Sequence, residues 1–513
     1  MDRAPARPSV PASDAPLLIS LYVLEISALL VIVALHKRVV GRPLLGLEGA
    51  IVLVACLALV GAAAVIVHRW RRGGRRRLVL TVALNLVPVL LLLVAGEVAV
   101  RILSRPTPRG PVFMGTNLLP WRWSDVVAHN EAILQHVAVN GSFLVPDERL
   151  GWAINPGRRT ADGLYFSSAE GLRSPEPGVS FRDRRARHRV ALVGDSFTFG
   201  LEVTYEQTWG YRLERALGDD VQVLNFGVDG YGVDQAYLRY ARDVRPWRPD
   251  VVILGLITHD LFRSMAVYSF VSFPGWPFPF AKPRFVADGD RLALLNVPLP
   301  SPRTILAARS IDDLPFVEYD RGYRAEDWTW HPLDRSYLYR FLASEYRGWS
   351  GPDARGSDER VVALNREILR AFIREVRADG SSPIVVYFPS RLDFRIRARK
   401  PGWQSLAQTM LREARIPHTD LTACLEGVDP AARFGPGHYA PGGNAAVADC
   451  LRDDIRGLLK TEAPTWPPEP PNARGTSAKP GCPSTLGQSP WGRGVYHSTL
   501  KGSDLWIDLC VGS

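Results

Sequence analysis

Between residues 190 and 460 short apolar runs alternate with longer amphipathic stretches, and this alternation restricts the chain to few folds. The runs Val190–Val193, Val251–Leu256 and Ile384–Phe388, and the mostly apolar Val221–Phe226, are as expected of strands buried on both faces, and a fifth strand is expected near Ile416–Leu421. Helical patterns separate them at Thr208–Leu217, Val233–Asp243, Glu359–Ala378, Trp403–Ala414 and Gly442–Leu459. Strand and helix in strict alternation predict an α/β fold: a parallel sheet, doubly wound, in a three-layer sandwich. A long segment rich in Phe, Trp, Tyr and Pro, about 262–356, interrupts the pattern. Within it "RFVADGDRLALLNVPLP" reads as a hairpin turning at Asp288-Gly289. The insertion suits either a substrate lid or carbohydrate platform, or a structural apron.

The rest of the chain is organised around this block. Three long apolar runs precede it: Leu17–Leu35, apolar except for Glu25, Ala50–Val67 and Leu78–Gly96. Their length suits membrane-spanning helices, and three successive runs differ from a single cleaved leader. Residues 1–104 are thus expected to form a multi-pass anchor in the cytoplasmic (inner) membrane, in contact with its lipid, the third helix extending to about 103. His68–Arg77 holds six Arg and is expected on the cytoplasmic side. That puts the amino terminus in the cytoplasm and the domain that follows the apolar runs in a periplasmic or extracellular location. Glu25 reads as a neutral or helix-paired carboxyl, and Glu97 with Arg101, one turn apart, as an interfacial ion pair. Residues 105–145 form a juxtamembrane segment, partly helical, and 146–175 short strands and turns. The block from 146 to 460 is the globular domain. Residues 461–513, dominated by Pro, Gly and Ser, are expected to be disordered.

The net charge of +10 would suit nucleic acid, but the densest basic run lies between two apolar runs, where topology explains it; no nucleic-acid partner is expected. Five Cys without CxxC or Cys/His spacing point to no metal.

The chemistry concentrates in "RVALVGDSFTFG", where a buried strand ends in Gly194-Asp195-Ser196. A Ser at the carboxyl end of a parallel strand sits where open α/β sheets place ligands, and it becomes a nucleophile if a base is within reach. No G-x-S-x-G elbow occurs in the chain. "GDSFTFG" resembles the first block of the SGNH/GDSL hydrolases. "VLNFGVDGYG" resembles the second block, with Gly227 at the Gly position. "GLITHDLFR" is similar to the third, with His259-Asp260 for Asn-Asp, and "FGPGHYAPGGNAAVADCL" resembles the fifth, with His438 at the catalytic His.

The resemblance spans about 146–460 and implies the flavodoxin-like SGNH fold, a Ser196 nucleophile, His438 as base, and an oxyanion hole from the backbone of Ser196 and Gly227 with His259. Asp195 and Asp260 read as turn and loop supports. It implies no cofactor. The family's orienting Asp, two or three residues before the His, is missing: those positions are Gly435 and Pro436. Asp429 is the substitute the sequence offers, and a Ser–His dyad is the alternative. Cys424 and Cys450 flank the His438 loop and suit a disulfide in an oxidising compartment, with two buried thiols as the alternative. Cys56 lies in the second apolar run, and Cys482 and Cys510 in the tail.

Three functions follow as expectations. The first is an extracytoplasmic serine esterase acting on acyl esters, such as O-acetyl groups of a surface or exported polysaccharide. The second is an O-acyltransferase using the same pair, which would need a membrane partner to deliver the acyl group. The third is a catalytically degenerate glycan-binding module, which the missing acid favours.

Overall fold

The structure, a computed structural model, describes residues 46–460 apart from 72–74, 108–109, 274–278, 289–290 and 350–353, together with Val23 and Ser27. The chain divides into two compact units, one made of residues up to Trp121 with Glu326–Trp349, the other of Arg122–Ala325 with the residues from Ser350 onward.

In the first unit the second and third apolar runs are helical, within Gly46–Arg71 and Arg75–Leu103. Among the described residues no helix is long and apolar enough to cross a membrane. The first run, apart from Val23 and Ser27, and the whole 461–513 tail lie outside the described residues. Glu97 and Arg101 pair as the spacing predicts, at 2.6 Å. Glu97 also accepts from Ser336 Oγ (2.8 Å) and the Leu338 N–H (2.9 Å), so the carboxylate fastens the helix Arg75–Leu103 to the start of the helix Tyr337–Trp349. Part of the aromatic insertion thus belongs to this unit, a partition that no local sequence period marks.

The second unit is built on a five-stranded parallel sheet. Its elements are β1 (His188–Val193), α1 (Ser196–Phe199), α2 (Trp209–Leu217), β2 (Val221–Asn225), α3 (Val233–Arg239) and β3 (Val251–Leu256). They continue with α4 (Thr258–Arg263), α5 (Ala354–Ala378), β4 (Ser382–Tyr387), α6 (Arg391–Arg399), α7 (Leu406–Glu413), β5 (His418–Asp420) and α8 (Pro441–Lys460). The strand order is β2-β1-β3-β4-β5, the flavodoxin-like order, with every pair parallel. Successive side chains alternate between faces. Ala191 and Val193 pack with Val252 and Leu254 in one core that also takes α3, α5 and α7. Val190 and Leu192 pack with Val251 and Ile253 in a second core that takes α2 and α8. The three-layer expectation therefore follows from runs such as Val190–Val193 and Val251–Leu256 that carry no polar side chain, while β2 buries Gln222 and Asn225 among its apolar residues.

The order reverses between β1 and β3, opening a crevice beyond their carboxyl ends where such sheets bind ligands. The expected hairpin is present, Phe285–Asp288 against Arg291–Leu294, with Asp288 paired to Arg291. Phe280, Phe285 and Leu294 of the insertion enter the first core, and Lys282 makes a fully buried ion pair with Asp234 of α3. Asp320 accepts from the backbone N–H of Val267 (2.7 Å) and Tyr268 (2.8 Å). Within this unit the insertion is an apron built into the core.

Candidate active site

Ser196 opens α1 directly after β1, and its placement is set by its neighbours. Gly194 has φ +154°, and a Cβ there would come within 2.2 Å of Thr198 Oγ1 and 2.5 Å of the Gly255 carbonyl. Only glycine lets the chain turn from β1 into α1 so close to β3. Asp195 caps α1, accepting from the Phe197 N–H at 2.9 Å.

His438 arrives from the loop before α8, more than two hundred residues away in sequence. Its Nε2 lies 2.8 Å from Ser196 Oγ. The loop is tied down by the Gly435 N–H donating to the His438 carbonyl (2.9 Å), by the Tyr439 hydroxyl donating to the Pro389 carbonyl (2.8 Å), and by the Phe197 ring 4.9 Å from the imidazole. Cys424 and Cys450 are joined by a disulfide, fixing the segment before the loop to α8.

The carboxylate that faces the His438 ring is Glu202, not a residue near the His in the chain. Its Oε1 lies 3.0 Å from His438 Nδ1, and the carboxylate also accepts from the backbone N–H of Gly437 (2.9 Å) and His438 (3.2 Å). Partial burial raises this carboxyl, but the hydrogen bonds from His438 and Gly437 outweigh it and hold it below the usual carboxylate range. Asp429 plays no such part: it caps the short helix Pro430–Arg433, accepting from the Ala431 N–H at 2.7 Å.

Glu202 is held in an unusual backbone conformation, φ +71°, just past the left-handed Gly200 that ends α1. Its N–H donates to the Tyr165 hydroxyl (2.9 Å). Buried Arg173 lies over the Tyr165 ring and donates to the Val203 carbonyl (3.1 Å), with its pKa lowered to about 10 by burial. The loop that carries Glu202 is therefore braced from behind. Sequence reasoning missed it because the family pattern puts the acid before the His, whereas here it follows the Ser by six residues.

The other expected residues separate into two groups. Asp260 caps the start of α4, accepting from the Ile257 N–H (3.0 Å), and pairs with Arg263 (2.7 Å). Arg263 also reaches Asp195 (3.4 Å) and the Tyr231 carbonyl (3.2 Å). Burial raises both carboxyls, most strongly that of Asp260, where the neighbouring Asp195 adds to the rise, and Arg263 opposes it. Arg263 is a support that the motif comparison did not single out.

Gly227 and His259 fit the oxyanion expectation less directly. The Gly227 N–H donates to Asn225 Oδ1 (2.9 Å), because the turn after β2 folds back on that side chain. A Cβ at 227 would lie 2.5 Å from the Phe199 N, so this glycine serves close packing against α1. His259, on α4, stacks edge-on against Phe273 (5.1 Å), and loss of solvation with the Arg263 charge lowers its pKa to about 4. Its imidazole is neutral at pH 7. Asp229, in the turn Val228–Tyr231, is a carboxyl that the sequence did not bring forward. Burial raises it, and the charges of Arg263 and His438 bear on it.

This arrangement can move a proton. The His438 ring joins Ser196 Oγ on one nitrogen to Glu202 on the other at hydrogen-bond distances, the requirement for a hydroxyl nucleophile activated by an oriented imidazole. Among the described residues no cluster of His, Cys, Asp or Glu suits a metal.

No family model matches the chain. No curated protein matches it either. Solved structures do resemble it. A lipolytic protein of the G-D-S-L family from Desulfitobacterium hafniense is 13% identical, covering 53% of this chain and 99% of its own, with a TM-score of 0.27. A carbohydrate acetylesterase family member from Sinorhizobium meliloti is 16% identical, covering 53% and 99%, with a TM-score of 0.25. A lipase/acylhydrolase from Enterococcus faecalis is 14% identical, covering 53% and 96%, with a TM-score of 0.27. At such identities the chemistry of this chain rests on its own side chains.

Proposed function

We propose that the protein is a serine esterase of the SGNH/GDSL type. The observation that carries this reading is the Ser196–His438–Glu202 relay at 2.8 and 3.0 Å. His438 Nε2 takes the Ser196 proton as Oγ bonds to the acyl carbon. The Ser196 N–H, at the open start of α1, is the oxyanion donor adjoining that bond. As the tetrahedral intermediate collapses, the ester C–O bond breaks and the departing alkoxide takes the proton from His438. Water, deprotonated by the same imidazole, then releases the acyl group as a carboxylic acid and restores Ser196. Glu202 remains ionised and stabilises the imidazolium.

The binding-only alternative loses its support, since an acid does face His438. Transfer to an acceptor other than water uses the same steps, and no feature of the described residues favours it over hydrolysis. Acyl esters on a surface or exported polysaccharide are the proposed substrates. The Cys424–Cys450 disulfide supports an extracytoplasmic location, since such bonds persist in oxidising compartments. We place the protein at the outer face of the cytoplasmic membrane, held by its amino-terminal segment in contact with lipid. The uncharged runs 50–67 and 78–96 support that placement, as do the exposed Leu90, Leu91, Leu92 and Val94.

A fluorophosphonate probe tests the enzyme reading. The purified chain is expected to be labelled, and Ser196→Ala to be silent; an unlabelled wild type that also fails to hydrolyse 4-nitrophenyl acetate would contradict it.

A further inference from the structure

Beside the His438 loop, between α6 and the short helix Pro430–Arg433, lies a cavity of about 610 Å³. Its wall carries four guanidinium groups, Arg391, Arg395, Arg397 and Arg433, and one carboxylate, Glu426, a formal balance of +3. Arg397 pairs with Glu426 at 3.1 Å. Arg433 donates only to carbonyls, those of Glu426 (3.1 Å) and Val428 (2.6 Å), and lies 4.2 Å over the Phe394 ring. Arg391 donates to the Gly435 carbonyl and lies 5.3 Å over Phe434. The Nε atoms of Arg391, Arg397 and Arg433 are buried without a hydrogen-bond partner.

Such a wall is rigid and positively charged. Rings and carbonyls fix the planes of Arg391 and Arg433 without cancelling their charge, and planar guanidinium groups suit the paired oxygens of an oxyanion. An apolar ligand would leave three positive charges uncompensated in a partly enclosed space, which is costly. The cavity also adjoins the chemistry: Arg391 begins α6 just past the carboxyl end of β4. The Gly435 whose carbonyl it holds donates its N–H to His438.

We propose that this cavity binds an anionic group, a carboxylate, sulfate or phosphate, carried by the substrate of the Ser196 site. The assignment to substrate rests on the esterase reading; the anion site itself does not. An acidic saccharide ester would then be anchored here by its charge while an acyl group reaches Ser196.

Calorimetric titration of the full chain carrying Ser196→Ala tests this, using glucuronate, inorganic sulfate and inorganic phosphate against sodium chloride of equal ionic strength. Saturable binding is expected, weakened at least tenfold in Arg395→Gln and further in Arg395→Gln with Arg397→Gln, with Arg395→Lys falling between wild type and Arg395→Gln because it keeps the charge without the planar fork. Tighter binding of glucuronate would assign the site to a sugar acid, and tighter binding of sulfate or phosphate to an ester of those acids. No saturable binding of any of the three, or equal binding by the Gln variants, overturns the proposal. Fluorophosphonate labelling of the chain with Ser196 intact separates the two readings. Labelling of Ser196 in the chain with all four Arg intact, when its Ser196→Ala form binds none of the three anions, sinks this inference alone, whereas anion binding by that form without labelling of the Ser196 chain sinks the esterase and, with it, the assignment to substrate.

Discussion

Replacing Glu202 by Gln keeps the side-chain length and removes the charge that faces His438. In the structure this carboxylate meets three N–H groups, those of Gly437, His438 and the imidazole Nδ1. A carboxamide has only one acceptor oxygen for them and turns an NH2 donor toward the rest. A charge-assisted hydrogen bond contributes roughly 1.5–3 kcal/mol, and each 1.36 kcal/mol of barrier is about tenfold in rate. Loss of the bond alone therefore costs about 10- to 100-fold. Stabilising the wrong imidazole tautomer adds to this, and comparable changes in serine-protease triads reach about 10⁴. Glu202 is 27% exposed, so water softens the loss. We expect kcat/KM on 4-nitrophenyl acetate to fall by roughly 10²–10³, between those bounds. Because the same carboxylate holds residues 437 and 438, melting temperature is measured alongside. The companion variant Glu202→Ala should regain activity with added formate, which a merely structural role would not produce. Activity of Glu202→Gln within threefold of wild type, with Ser196→Ala inactive, would refute the relay.

Further outcomes follow from the same geometry. Because the hydrogen bonds depress the Glu202 carboxyl, its contribution to stability is fully present above the ordinary Glu pKa and is lost as pH falls through its lowered value. The urea midpoint of wild type minus that of Glu202→Gln should thus shrink only below about pH 4.3. With its pKa lowered to about 4, His259 is neutral across pH 6–8, so His259→Gln should change the rate by a constant factor across that range, and a changed pH profile would assign it a titrating role. Arg263→Met leaves Asp195 and Asp260 buried without their counter-charge and should destabilise by about 3–5 kcal/mol in urea unfolding; a loss under 1 kcal/mol would show that both carboxyls are already neutral. Reducing the Cys424–Cys450 bond, which spans 26 residues, should cost about 3 kcal/mol if it acts by restricting the unfolded chain, measured by unfolding with and without reductant.

The parts of the fold legible in the sequence were those fixed by local periodicity. Val190–Val193 and Val251–Leu256 are buried at every position, so their runs carry an unambiguous signature of interior parallel strands. Ser196 and His438 were legible through motifs whose glycines and helix starts are local. Glu202 was not, because what makes it the acid is a left-handed backbone and a contact across 236 residues, neither of which leaves a periodic trace. The Gly227 N–H was assigned to the oxyanion from its motif position, while its partner, the Asn225 side chain two residues earlier, depends on the rotamer of one amide. The insertion reads as one aromatic block in the sequence, yet Glu326–Trp349 belongs to a different unit from Phe280 and Phe285. Composition does not encode that division.

The central claim is that Ser196 forms a covalent acyl intermediate. Stopped-flow reaction with 4-nitrophenyl acetate, quenched and mapped by peptide mass spectrometry, tests it directly. The account predicts a burst approaching one equivalent of nitrophenolate per chain and an acetyl mass on the peptide containing Ser196, both absent in Ser196→Ala. Undiminished turnover in that variant, or an acetyl group found on another residue at burst stoichiometry, would contradict it.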